Sequence, residues 1–209
     1  INDDGFDDIA MSVNTNNDWV GVVFGGSNVA PDGLFCLEDL NGDNGFKLLF
    51  SGSPVLKAGD LNHDGVDDLL AGLVAVFGSP GIGASGVVEF SDIHDGQHGV
   101  WLRGQFTRGL GHAGDVNDDG IDDVLVGQDL FDEEGCDLGR THVIFGRRMG
   151  DADLDADVDF ADFAALQRCF GIPLDGDVPD TCHPFDFDTD NDVDVDDYAA
   201  FQSVFGTLP

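Results

Sequence analysis

"AGDVNDDGIDDVLVG", residues 113–127, sets five acidic side chains within nine positions and then turns apolar. Charge alone does not account for a spacing this regular. Asp115, Asn117, Asp119 and Asp123 stand at positions 1, 3, 5 and 9 of a loop, with Gly120 at position 6. Short oxygen-bearing side chains at alternating positions around a sharp glycine turn are how a chain wraps a hard cation. The apolar residues that follow read as a strand.

The stretch recurs. "INDDGFDDIAMS" begins at residue 1, "DLNHDGVDDLLAG" at 60 and "DVNDDGIDDVLVG" at 115, with the lead-ins "KAGD" at 57–60 and "HAGD" at 112–115. Each copy is followed by an apolar run ending in Phe-Gly: "GVVFGG" at 21–26, "VAVFGS" at 74–79 and "HVIFGR" at 142–147. Between them lie short β-branched or aromatic stretches such as "GVVEF" and "HGVWL", punctuated by Gly, Pro and Asn. About four short strands per repeat are expected. A unit of this length and strand content suggests a propeller blade, which buries its sheet face only against a neighbour.

The joint occurrence of Phe-Gly, the Ala-Gly lead-in and D-x-N-x-D-G-x-x-D resembles the FG-GAP repeats of integrin alpha-chain propellers and their bacterial relatives, over residues 1–149. The resemblance implies a calcium loop between two strands of each blade. Its ligands would be Asp60, Asn62, Asp64 and Asp68 with the Val66 carbonyl, then Asp115, Asn117, Asp119 and Asp123 with the Ile121 carbonyl. The first copy retains Asn2, Asp4, Asp8 and the Phe6 carbonyl, while its position 1 would precede Ile1. Propellers have about four to eight blades, so either further blades lie upstream or these three stack on another chain, and the first reading is preferred.

After Met149 the character changes. Residues 151–209 hold 16 Asp, no Glu and a single Arg. "DADLDADVDFADFAALQRCFG" from 151 and "DFDTDNDVDVDDYAAFQSVFG" from 186 align at a shift of 35. Both place Asp at positions 1, 3, 5, 7, 9 and 12: Asp151, Asp153, Asp155, Asp157, Asp159 and Asp162, then Asp186, Asp188, Asp190, Asp192, Asp194 and Asp197. That is EF-hand loop grammar with Asp at position 12. A helix is expected after each loop, with Phe163, Leu166 and Phe170, and Tyr198, Phe201 and Phe205, as apolar stripes. The usual position-6 glycine is replaced by Ala156 and Asn191. If that turn is left-handed, the 186–197 loop fills first, because Asn tolerates the conformation better than Ala.

The duplicated loop–helix pair, residues 150–209, resembles the dockerin module, which docks extracellular proteins onto a cohesin, often in assemblies that degrade polysaccharides. Here Phe160-Ala161 and Val195-Asp196 replace the Ser or Thr that usually make the partner contact.

The net charge of −34, carried by 38 Asp against 4 Glu, excludes nucleic acid and anionic membranes as electrostatic partners. No apolar run reaches the ~20 residues of a membrane helix. Four cysteines allow three pairings, and their even number favours an oxidising compartment. Cys169 falls on the last turn of the first helix and Cys182 in a Gly/Pro-containing connector, so a Cys169–Cys182 bridge is expected. It leaves Cys36 to pair with Cys136. "GIGASG" at 81–86 fits a dinucleotide glycine pattern, but a strand-like "VVEF" follows where a helix is needed. His94 and His98 lie in a Gly-flanked turn without further zinc ligands.

The expected molecule is therefore mainly β: about three blades of a partial propeller, then a small α-helical dockerin-like domain. It is a secreted calcium-binding interaction or adhesion protein without a catalytic site in these residues. The partner would be a cohesin-like or cell-surface protein, or an extracellular polysaccharide. The alternative is the accessory end of an extracellular glycoside hydrolase or lyase whose catalytic domain lies upstream.

Overall fold

The computed structural model describes residues 1–13, 18–27, 29, 34–50, 53–93, 98–102, 109–128, 139–153, 155, 157–172, 182–187 and 192–206. The chain is mainly β, with two helices. The strands are β1 (Ile9–Val13), β2 (Trp19–Val23), β3 (Gly45–Leu48), β4 (Val55–Gly59), β5 (Asp68–Ala71), β6 (Val74–Val76), β7 (Val87–Val88), β8 (Gly99–Trp101), β9 (Gly109–Gly114), β10 (Asp123–Gln128) and β11 (Arg140–Ile144). The helices are α1 (Phe160–Cys169) and α2 (Val195–Val204). Three sheets result, ordered β1-β2-β3-β7, β4-β5-β6-β8 and β9-β10-β11, none closed into a barrel among the described residues.

Each sheet is built on antiparallel neighbours, as short Val- and Leu-rich runs joined by tight turns require. The expected strand in "GVVEF" forms, but it crosses over: β7 pairs parallel with β3 of the first sheet. "GIGASG" is a series of turns leading into β7, not a helix start. The Ala-Gly lead-in also acquires a structural meaning. Register shifts set Gly59 opposite Asp68 and Gly114 opposite Asp123, and both glycines are left-handed, at φ 84° and 66°. These shifts bend the strand where the acidic loop departs.

The sheets stack face to face. On β5, Leu69 and Ala71 join Val20, Val22, Phe46 and Leu48 in a core shared with the first sheet. Leu70, between them, joins Ala75, Val124 and Val126 in a core shared with the third. Alternation along one strand thus feeds two cores, which is why every residue of β5 is buried.

The helical segment has its own core, formed by Val158, Ala165, Leu166, Cys169, Cys182, Phe185, Val193 and Phe201. Its two halves are cross-linked with pseudo-twofold symmetry. Left-handed Gly171, after α1, donates its N–H to the Val193 carbonyl at 2.6 Å, and left-handed Gly206, after α2, donates to the Val158 carbonyl at 2.7 Å. The expected Cys169–Cys182 disulfide forms, with Cα atoms 5.4 Å apart. The second expected bridge does not: Cys36 is a free, exposed thiol. Cys36 lies between β2 and β3, and Cys136 lies outside the described residues. The apolar stripes also need correction. Leu166 and Phe201 are buried, but Phe170 and Tyr198 are exposed.

Candidate metal loops

The acidic loops 2–8, 60–68 and 115–123 repeat the same position-5 bonds, and the second and third also share their position-1 closure. Position 5 accepts two bonds in each copy. Asp4 accepts from the Phe6 N–H (2.9 Å) and Asn2 Nδ2 (3.0 Å). Asp64 accepts from the Val66 N–H (2.8 Å) and Asn62 Nδ2 (2.9 Å), and Asp119 from the Ile121 N–H (2.8 Å) and Asn117 Nδ2 (2.6 Å). Position 1 closes the turn: Asp60 accepts from the N–H groups of Asp64 and Gly65, and Asp115 from those of Asp119 and Gly120. Left-handed residues make this path possible, with Asp3, His63 and Asp118 at position 4 and Gly5, Gly65 and Gly120 at position 6. The turn expected of the position-6 glycine is present three times.

Position 9 does something the sequence did not disclose. Asp68 Oδ2 accepts from the Leu61 N–H and Oδ1 from the Gly78 N–H. Asp123 holds the Val116 and Gly146 N–H groups in the same way, and Asp8 holds the Ile1 nitrogen and the Gly25 N–H. The buried position-9 carboxylate therefore ties the start of its loop to the glycine of Phe-Gly. Burial pushes Asp68 up to about 7, against the pull of its two amide donors.

The loops also touch in series. The residue after Phe-Gly donates its N–H to the second residue of the preceding loop: Ser79 to the Ile1 carbonyl (2.9 Å) and Arg147 to the Leu61 carbonyl (2.7 Å). Asp122 N–H donates to the Asp60 carbonyl, and Asp60 N–H returns a bond to Asp122 Oδ2.

In the helical segment the position-12 carboxylates organise the loops. Asp162, fully buried, accepts from the Ala152 N–H (2.7 Å) and the Asp159 N–H (2.8 Å). Asp197, also fully buried, accepts from Phe187 (2.6 Å) and Asp194 (2.7 Å) at the matching positions. The position-9 residues Asp159 and Asp194 cap the helices in reciprocal boxes with Asp162 and Asp197. Three carboxylate groups converge within 4.8 Å: Asp151–Asp153–Asp155, Asp157–Asp159–Asp162 and Asp192–Asp194–Asp197. Desolvation, then neighbouring carboxylates, raise Asp153 and Asp157. Asp188, Asp190, Ala156 and Asn191 lie outside the described residues, and with them the test of the position-6 turn in these two loops. Asp186, at position 1, is buried.

The donor sets suit a hard divalent cation. Every proposed side-chain ligand offers a carboxylate or amide oxygen, with no Cys or His among them, and Phe6, Val66 and Ile121 offer main-chain carbonyls. Buried Asn2 Oδ1 and Asp157 Oδ1 lack a hydrogen-bond partner. The carboxylates that accept one N–H per oxygen keep a further lone pair on each. The two loop classes differ in one respect: mutually converging carboxylates occur in the helical segment, whereas the strand-joining loops close mainly on backbone amides.

Comparison with protein-family models, curated proteins and solved structures returned no match. No described helix is long and apolar enough to cross a membrane.

Proposed function

We propose that this chain is a calcium-stabilised extracellular interaction module, a run of FG-GAP-type propeller blades followed by a dockerin-like tail. The observation that carries the reading is the congruence of the loops. Three acidic loops share their position-5 and position-9 bonds, two of them also the position-1 closure, and two loop–helix units share another scheme. Repulsion among close carboxylates opposes such turns unless a cation offsets it. The stack supports the propeller reading: its middle sheet is covered on both faces, while Ile9 of the first sheet and Val143 of the third are exposed. A ring would set further blades there. The disulfide favours an oxidising compartment.

For the tail, docking is supported by exposed apolar side chains at symmetry-related places. Phe160 and Val195, both at loop position 10, are 76% and 63% exposed, and Tyr198 on α2 and Phe170 at the C-cap of α1 are exposed as well. A protein partner with an apolar patch rimmed by basic residues fits this surface and its acidic surround. Calcium fixes the loops, and the rigid loops hold the binding surfaces.

Thermal melts of the full chain in millimolar calcium and in excess chelator test the cation reading. A melting temperature lowered by chelation is expected, and Asp64→Ala or Asp119→Ala should reproduce part of the loss. Melts indifferent to chelator at low salt contradict it.

A further inference from the structure

Arg147 follows Phe-Gly in the third copy, where the first and second copies carry Gly26 and Ser79. Its main-chain bond to the Leu61 carbonyl belongs to the repeat, because Ser79 makes the same bond to Ile1. The side chain is what the third copy adds. Nε and Nη2 both donate to the Asp151 carbonyl, at 3.1 and 3.0 Å. Leu61 is the second residue of the 60–68 loop, and Asp151 is the first of the 151–162 loop. One residue, through main chain and side chain, thereby joins a loop of the sheet stack to a loop of the helical segment.

The guanidinium is well placed to hold that join. Burial lowers its pKa, and the carboxylates of Asp151 and Asp162 act in the opposite direction. It borders an apolar pocket of about 270 Å³, lined by Phe77, Leu102, Ile144, Met149 and Pro184 among others. Two charge-assisted bonds from a planar fork to one carbonyl fix orientation as well as distance. Behind Arg147, Gly146 donates to Asp123, so the same turn is anchored to the third strand-joining loop.

We propose that Arg147 couples the 60–68 and 151–162 loops, so that ordering either one lowers the cost of ordering the other and the two take up cations cooperatively. This rests on the cation reading above. Ordering a loop loses conformational entropy, and a loop already held at one end by an ordered neighbour loses less on binding. Coupling between two sites is reciprocal, so each loop must affect the other by the same factor.

Hydrogen exchange on the full chain across a calcium titration reads the two loops separately, through the protection midpoints of peptides covering 60–68 and 151–162. Asp64→Ala should raise the midpoint at 151–162 about tenfold, which corresponds to about 1.4 kcal/mol. Asp162→Asn should raise the midpoint at 60–68 by the same factor. Arg147→Ala should abolish both cross-effects while each loop still becomes protected at high calcium. Arg147→Lys keeps the charge and the stem without the fork; it should retain less than half the cross-effect, and it serves if the Ala variant does not fold. Cross-effects below twofold, or cross-effects that survive intact in the Arg147 variants, overturn the coupling while leaving the cation reading standing. If calcium protects neither loop in the unaltered chain, the cation reading falls and the coupling falls with it.

Discussion

A methyl group added at Gly25, Gly78 or Gly146 would collide with the carbonyl oxygen of Asp7, Asp67 or Asp122, and the same glycines donate their N–H groups to Asp8, Asp68 and Asp123. The glycine of Phe-Gly is needed because the acidic loop's backbone lies against it. Gly146→Ala should therefore cost about 1–3 kcal/mol, as overpacked sites do. Gly111→Ala, whose added Cβ meets only Leu125 at ordinary contact distance, should stay within about 0.5 kcal/mol. Urea unfolding midpoints in calcium compare the two; equal losses would contradict the explanation. The alternating ligands could be read from sequence because a loop's own side chains repeat at fixed spacing. The glycine's role could not, because its partners are 17, 10 and 23 residues away in the three copies and only folding brings them together.

Between elements, the helical segment is held by three kinds of cross-tie: a disulfide from α1 to the connector, the paired Gly–Val bonds and the buried position-12 carboxylates. Replacing Cys169 and Cys182 together by Ser should remove roughly 3 kcal/mol, from the loop entropy of about a dozen residues. Hydrogen exchange should show the loss first in the last turn of α1 and at Gly171, and unchanged protection there would contradict the role given to the bridge. The bridge was legible because Cys169 fell at a predicted helix end beside a turn-rich connector. The full apolar stripe was not. Phe170 takes extended dihedrals as the C-cap of α1, as does Phe205 for α2, so the helical period no longer decides which way these side chains point. The residues that are buried on α1 are Ala165, Leu166 and Cys169, together with Asp162. The destination of β7 was hidden for a related reason. A two-residue Val-Val strand carries too little pattern to specify its sheet, and its parallel pairing with β3 is a tertiary choice.

Across the whole molecule, a net charge of −34 is carried largely by the acidic loops, and in the helical segment their carboxylates converge. Mainly-β sheets followed by two helices were legible from turn punctuation and from the change in hydrophobic period after Met149. The face-to-face order of the sheets was foreshadowed by the repeat and then fixed by the alternation of Leu69, Leu70 and Ala71 between two cores. On the function proposed above, the acidic loops hold cations. Four loops carry their complete proposed side-chain ligand sets within the chain: 60–68, 115–123, 151–162 and 186–197. Extracellular calcium modules bind at about 10⁻⁴ to 10⁻³ M. Equilibrium dialysis of the decalcified full chain against millimolar calcium, with bound metal counted by mass spectrometry, measures that occupancy. About four ions per chain are expected, or more if the 2–8 loop also fills. Protein that emerges with no calcium above the buffer level would contradict that function.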